Sequence, residues 1–363
     1  MPRVIGIDPG TISVDVCGLD DGRVFLDRSF PTSDALADPN LLLGLLEAAA
    51  PLDLVAGPSG YGLPLTRTQD LTEEGLRLAY LPDVSHSGGI LGLRALMRVL
   101  ARSTVPVILT PGVIHLPSVP AHRKVNRVDM GTADKVCAAA LAVSDQMRRR
   151  ACGPLDVSFI LLELGGAFSA AIAVEAGRIV DGLGGTSGPI GLRAAGALDG
   201  EVAFLSGGVT KNHLFGGGLA TIAGTPEADA DELAAASSPR SRMAWDGYLE
   251  SAVKAVVALK VSAPAARDVI LSGRVARIEP ICNELTRRIR AALPGAAISA
   301  LVGFGGTAKQ GAQGAAVIAD GLAGGRFAAI VDALGIREAS GTVLDHLYFI
   351  SPSDARARLK LDL

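Results

Sequence analysis

The sequence predicts an α/β protein made of two similar halves that face each other across a cleft. Three observations carry this. An apolar run ending in a carboxylate and a glycine turn occurs twice, as Val4-Ile5-Gly6-Ile7-Asp8-Pro9-Gly10-Thr11 and as Phe159-Ile160-Leu161-Leu162-Glu163-Leu164-Gly165-Gly166. Each copy leads straight into a second strand-like run, Ile12 to Leu19 and Ala167 to Glu175. The elements after each copy repeat in the same order, and 363 residues suit two domains better than one core.

The first half, residues 1–150, reads as strands at Arg3–Ile7, Ile12–Leu19 and Arg23–Phe30. A helix near Asn40–Ala50, a strand at Leu52–Ala56, a helix at Ile90–Arg102 and a strand at Val105–Leu109 follow. A long helix from Thr132 to Arg149 closes the half. Asp129 and Thr132 can cap it, Asp134 lies in its first turn, and Arg148, Arg149 and Arg150 complement the dipole at its end.

The second half, residues 151–363, repeats the order. Strands fall at Val157–Glu163, Ser169–Glu175 and Arg178–Asp181, then a helix at Arg242–Lys260 and a strand at Asp268–Leu271. A helix at Ile278–Ala292, a strand at Ala297–Leu301 and a helix at Ala308–Asp320 complete it. The halves differ in their insertions, Gly57–Ser87 and Thr110–Arg127 in the first and residues 183–241 in the second. Insertions this long usually serve as lids or binding loops. The tail after Gly325 gives mixed signals.

Composition excludes several classes. Hydrophobic residues make up 49% and mean hydropathy is +0.37, yet no apolar stretch reaches the roughly 18–20 residues a membrane span needs. The N-terminus enters a strand with no basic-then-apolar leader, and Cys17, Cys137, Cys152 and Cys282 show no metal-type spacing. These features read as a cytoplasmic protein with reduced thiols. A formal charge of -3 argues against a nucleic-acid partner.

The doubled turn points to chemistry. A carboxylate at a strand end can hold a hydrated metal ion, and a glycine turn lets backbone N–H groups approach phosphate oxygens. The alternative for Asp8 and Gly10 is a plain hairpin with a solvated carboxylate. Glu163 follows four apolar residues, and burying it unpaired is costly, so it should face a polar cleft. His122, Arg123, Lys124 and Arg127 cluster just before Asp129 and a helix N-terminus, where anions bind. Asp129 is either a base for an acceptor oxygen or a cap and arginine partner; Asp134 reads as a dipole complement. His122 either contacts a phosphoryl group or is an ordinary loop residue. Gly184-Gly185-Thr186-Ser187-Gly188 either cradles phosphate or hinges a lid. Lys211 and Asn212 read as a solvated loop, and the last helix, with Gly311, Ala312, Gly314 and Ala315, as a close-packed hinge element.

In this order, up to about Ala323, the chain resembles the superfamily of acetate and sugar kinases, heat-shock chaperones and actin. Within that superfamily, three segments look like a family predicted to be butyrate kinases. They are His122 to Lys135, Gly184-Gly185-Thr186-Ser187-Gly188-Pro189, and Ala308 to Ala316. The resemblance implies two ribonuclease-H-like lobes, an actin-like ATPase fold with a central nucleotide cleft, and ATP with Mg²⁺ as cofactors. It places Asp8, Gly10 and Thr11 at the outer phosphates and metal. It places Glu163, Gly165 and Gly166 in the second turn, with Asp8 and Glu163 as metal-site residues. Gly185 and Thr186 join the cofactor site, and Leu271-Ser272-Gly273-Arg274 corresponds to the adenosine turn. Arg274 can stack on a base. Two departures stand out: Pro9 lacks an N–H donor, and Glu163 is one methylene longer than the usual Asp.

The expectation is an ATP-dependent phosphotransferase acting on a small molecule, a short-chain carboxylate by resemblance, with Asp129, Arg123 and His122 at the chemistry. A homodimer is compatible with it. The alternative is an ATP-driven conformational switch that regulates a partner protein.

Overall fold

The computed structural model describes residues 1–10, 12–38, 40–57, 60–82 and 90–361. The strands are β1 (Arg3–Pro9), β2 (Ser13–Asp20), β3 (Arg23–Pro31), β4 (Leu54–Gly57), β5 (Thr66–Arg67) and β6 (Val107–Leu109). The later ones are β7 (Phe159–Leu164), β8 (Ser169–Glu175), β9 (Arg178–Leu183), β10 (Asp268–Ser272) and β11 (Ala297–Ala300). They form two sheets, ordered β3-β2-β1-β4-β6-β5 and β9-β8-β7-β10-β11. In both, the first three strands make an antiparallel meander and the next two add in parallel beside the first strand. The short β5 adds an antiparallel edge to the first sheet.

The continuous apolar run of β7 follows from burial on both faces. Phe159 and Leu161 enter one core, while Ile160, Leu162 and Leu164 enter the other. Glu163 shares the face of Phe159 and Leu161, because side chains alternate along a strand. Its carboxylate therefore emerges where the second sheet meets the Ala133–Arg150 helix. The second core lies between the other face of that sheet and the Pro239–Leu259 and Glu279–Ala292 helices.

The Gln310–Leu322 helix returns to the first sheet. Its small residues allow backbone contact on two sides: a Cβ on Gly6 would lie 2.1 Å from the Ala316 nitrogen, and one on Gly314 would lie 1.8 Å from the Cys137 carbonyl. The helix thus sits between β1 and the Ala133–Arg150 helix, the close-packed role the sequence implied. The segment after Gly325 joins the same core through Phe327, Ile330, Val331, Leu334, Val343 and Leu344. Arg150, at the end of its helix, pairs with Asp268 of β10. Among the described residues no helix is long and apolar enough to cross a membrane.

Candidate functional site

β1 carries Asp8 on the same face as Gly6, so the carboxylate points at the start of the Gln310–Leu322 helix. A Cβ on Gly311 would fall 2.4 Å from Asp8 Oδ2, so only glycine lets that helix end reach it. Asp8 is 9% exposed. Burial pushes its carboxyl from the ordinary 3.8 up to about 7; Asp134 and Glu163 push the same way, and Lys309 and Lys135 oppose them. Asp15 lies opposite Asp8 in the hairpin register and is fully buried. Its Oδ2 accepts from Ser13 Oγ at 2.7 Å and pairs with Lys309 Nζ at 3.1 Å. Lys309 Nζ also donates to the Ser13 carbonyl at 3.1 Å, which plants a cation inside the first turn.

The two glycine turns close alike. Gly10 N–H donates to the Ser13 carbonyl at 2.9 Å, and Gly165 N–H donates to the Phe168 carbonyl at 2.9 Å. Those two N–H groups are therefore spent inside their turns. The turns also touch each other: a Cβ on Gly166 would sit 2.8 Å from Ile12 Cδ1.

Lys135 stands between the halves. Its Nζ donates to Asp134 Oδ2 at 2.6 Å and to Glu163 Oε1 at 2.7 Å, with the side chain 12% exposed. Burial opposes its charge, but the two carboxylates overcome that and raise its pKa. Burial also opposes ionising Asp134, yet Lys135 and the Thr132 hydroxyl hold its carboxyl below the usual range. Glu163 is raised: burial outweighs the opposing pull of Lys135.

Asp129 clamps another crossing. Its Oδ1 accepts from Gly131 N–H at 3.1 Å, and its Oδ2 accepts from Thr186 N–H at 3.0 Å and Thr186 Oγ1 at 3.1 Å. Its carbonyl accepts from the Ser187 hydroxyl and from Gly184 N–H. Burial raises its pKa against these donors.

These groups line one cavity of about 540 Å³. Of the sequence-derived site residues, Asp8, Gly10, Asp129, Glu163, Gly165, Gly166, Gly185, Thr186, Gly273 and Arg274 line it. Thr11 lies outside the described residues. Arg123 and His122 do not line it. Arg123 instead donates to the Val180 carbonyl at 2.7 Å, and His122 is exposed on the Ala121–Lys124 turn of helix. The helix cap also differs from expectation. Thr132 occupies the N-cap position without capping the backbone, and its hydroxyl bonds Asp134.

Sequence reasoning missed several lining residues. Asp15 was legible from the hairpin register alone. Lys309 and Lys135 were visible only as residues flanking glycines or acids. Ser272, already part of the adenosine turn by resemblance, lies opposite Glu163 in the β7–β10 register and is buried with an Oγ that has no partner among the described residues. Lys211 is no solvated loop residue: its Nζ lies 3.3 Å from Tyr61 Oη across the cavity.

Among the described residues no group of three or more acidic, histidine or cysteine side chains could hold a metal by itself. Magnesium commonly keeps several waters and takes one or two carboxylates plus phosphates. Asp8, buried and costly to ionise without a cation, suits that arrangement. Glu163 has Oε1 on Lys135, so in this state the lysine supplies its countercharge.

Solved structures with this architecture include a propionate kinase from Francisella tularensis subsp. tularensis SCHU S4, 12% identical, covering 87% of this chain and 98% of that one, TM-score 0.62. Acetate kinase from Entamoeba histolytica is 11% identical over 80% of this chain and 87% of that one, TM-score 0.59. Acetate kinase from Porphyromonas gingivalis is 13% identical over 78% and 86%, TM-score 0.55. The chain therefore has the duplicated lobes of the actin-like ATPase fold. No curated protein matches it in sequence. Residues 6–349 match the model of the family described as "Protein of unknown function (DUF1464)", and the chain belongs to that family.

Proposed function

We propose that the cavity binds Mg²⁺-ATP and that the protein transfers the terminal phosphoryl group to a small carboxylate. The carrying observation is the pair of identically closed turns, Gly10–Ser13 and Gly165–Phe168, meeting over the Asp8, Lys135 and Glu163 cluster. The kinase names of the structural neighbours agree with it.

In this reading the phosphate tail lies between the turn tips, with the N–H groups of Gly166 and Ala167 as donors and Lys309 as a cation. The nucleoside end meets Gly273 and Arg274, where the Ser272 hydroxyl, without a partner among the described residues, offers a hydrogen bond. Asp8 would hold magnesium through its water shell, and the ion would neutralise charge on the phosphates. Lys135 supplies a fixed cation for charge developing on the transferred group. A carboxylate oxygen of the acceptor attacks the terminal phosphorus, the bond to the bridging oxygen breaks, and ADP departs with the electron pair. No proton moves. This suits Asp129, whose two oxygens already accept three hydrogen bonds, better than a hydroxyl acceptor that needs a base.

A screen of short-chain acids and sugars for stimulated ADP release tests the reading. Acid-dependent ADP release with formation of an acyl phosphate is the expected result; no stimulation by any acid contradicts it. A second reading, an ATP-driven switch, is favoured by the Lys135–Glu163 pair, a crossing contact for which a phosphate tail competes. It requires slow hydrolysis that ignores small acceptors and responds to a protein partner.

A further inference from the structure

The register of the first sheet puts three acids on one face. Asp8 pairs with Asp15, Gly6 with Cys17, and Cys17 with Asp27, and residues paired across a sheet share a face. The Gln310–Leu322 helix packs on that face, since Gly6 meets Ala316 there. Asp8 and Asp15 line the cavity; Asp27, on the edge strand β3, does not.

Asp27 instead holds the chain that crosses from the second sheet to that helix. Residues 301–309 connect β11 to the helix. Thr307 N–H donates to Asp27 Oδ2 and Ala308 N–H to Asp27 Oδ1, each at 2.7 Å. The next N–H, that of Lys309, donates to Asp15 Oδ1 at 3.3 Å. Two carboxylates of the first sheet thus receive three successive N–H groups. From the helix side, Gln313 Oε1 accepts from Phe304 N–H, and its Nε2 donates to the Gly305 and Ala308 carbonyls. Lys309 Nζ ends between Asp15 Oδ2 and the Ser13 carbonyl, and a Cβ on Gly10 would lie 2.4 Å from it.

We propose that Asp27 is a positioning residue: it fixes the crossing chain so that the Lys309 ammonium stands against the first glycine turn, where the phosphate tail of the nucleotide passes. Asp27 touches no ligand and acts through Lys309. The inference rests on the nucleotide reading above and gives a part in it to a residue outside the cavity.

Three features support it. A lysine stem is flexible, so its ammonium is pre-organised only when its backbone is held. A carboxylate gripping two consecutive N–H groups fixes both the place and the direction of that backbone through charge-assisted bonds. Burial opposes the Asp27 charge, but the Thr307 and Ala308 N–H groups and then Arg28 hold its carboxyl below the usual range. The sequence also makes room for the grip. Gly306 has φ +85°, and a Cβ there would lie 2.2 Å from Asp27 Oδ2, so the Gly305-Gly306 pair is what lets the carboxylate in.

The test is a double-mutant cycle on ATP affinity. Calorimetry with Mg²⁺ compares the wild type, Asp27→Ala, Lys309→Gln and the double variant, with folding followed by circular dichroism. Lys309→Gln keeps a donor for Asp15 but removes the charge. It should weaken ATP binding roughly 10- to 150-fold, as losing a charge-assisted hydrogen bond implies. Asp27→Ala should weaken it roughly 10-fold, as expected of residues coupled through a shared backbone shift. In the Lys309→Gln background Asp27→Ala should add no further loss. Asp27→Asn, nearly isosteric, carries the same cycle if the alanine variant does not fold. Unchanged ATP affinity in the Asp27 variant, or the same loss from it in both backgrounds, overturns the inference while nucleotide binding stands. A wild type that binds no ATP overturns the nucleotide reading itself.

Discussion

Lys135 Nζ sits 2.7 Å from Glu163 Oε1, so a lysine in the first turn of the Ala133–Arg150 helix neutralises the carboxylate at the end of β7. The same ammonium holds Asp134 at 2.6 Å. One cation thereby serves two half-buried acids at the point where the halves meet, and Asp8 lies in the same electrostatic cluster.

Lys135→Met should strip both acids of their partner. Removing one member of a fully buried pair costs about 3–5 kcal/mol, and the partial exposure of these acids brings the loss down to about 1–3 kcal/mol. Urea unfolding should show a loss of that order, and adding Glu163→Gln should recover part of it. Simple additivity of the two losses would mean the pair is not coupled.

Asp8 carries a pH signature. Its folded-state carboxyl is raised from 3.8 to about 7, so its contribution is fully present below 3.8 and is lost as pH rises through about 7. The full penalty is on the order of 4 kcal/mol. Asp8→Asn should therefore raise the melting temperature of the metal-free protein at pH 8, with the gain shrinking toward pH 4, while metal-dependent activity disappears. Thermal scans across that range in a chelator check it; a gain independent of pH contradicts it.

The architecture was legible in the sequence because both halves announce themselves with the same strand, acid and glycine, and because runs such as Phe159 to Leu162 fit a strand covered on both faces. Even the close packing of the Gln310–Leu322 helix could be read, from the small residues around Gly311 and Gly314. The cleft residues contributed by its other elements were less legible. Arg123 looked catalytic because it precedes a helix start, but the short Ala121–Lys124 helix turns it toward β9. Lys211 looked solvated because nothing local betrays that its loop reaches Tyr61, 150 positions away. Thr132 looked like a cap, and Asp129 like either a cap or a base, because spacing shows proximity along the chain; the Thr186 partner of Asp129 comes from tertiary folding.

Arg123→Ala and Asp129→Asn should separate accordingly. Arg123→Ala should leave kcat/KM nearly unchanged, since the guanidinium serves a β9 carbonyl. Asp129→Asn replaces an acceptor facing Thr186 N–H and Gly131 N–H, and should cost about 1–3 kcal/mol of stability. Unfolding curves and steady-state kinetics with the identified acceptor measure both. A large kinetic defect in Arg123→Ala would return that residue to the site.

Gly311→Ala places a methyl against Asp8 Oδ2, where only 2.4 Å is available. Alanine favours the helix by about 1 kcal/mol, so the fold should survive. Nucleotide affinity in magnesium should fall at least roughly 10-fold, equivalent to about 1.4 kcal/mol, while affinity measured in a chelator changes little. Equal losses in both conditions would place the disturbance elsewhere than at Asp8.

The most direct measurement is calorimetric titration of the wild type and Asp8→Asn with ATP, each with and without Mg²⁺. The account predicts saturable binding by the wild type that tightens with Mg²⁺, and a variant that binds ATP but has lost the tightening. No binding by the wild type at millimolar ATP in either condition, or a Mg²⁺ effect that survives Asp8→Asn intact, would contradict a nucleotide held between the two turns.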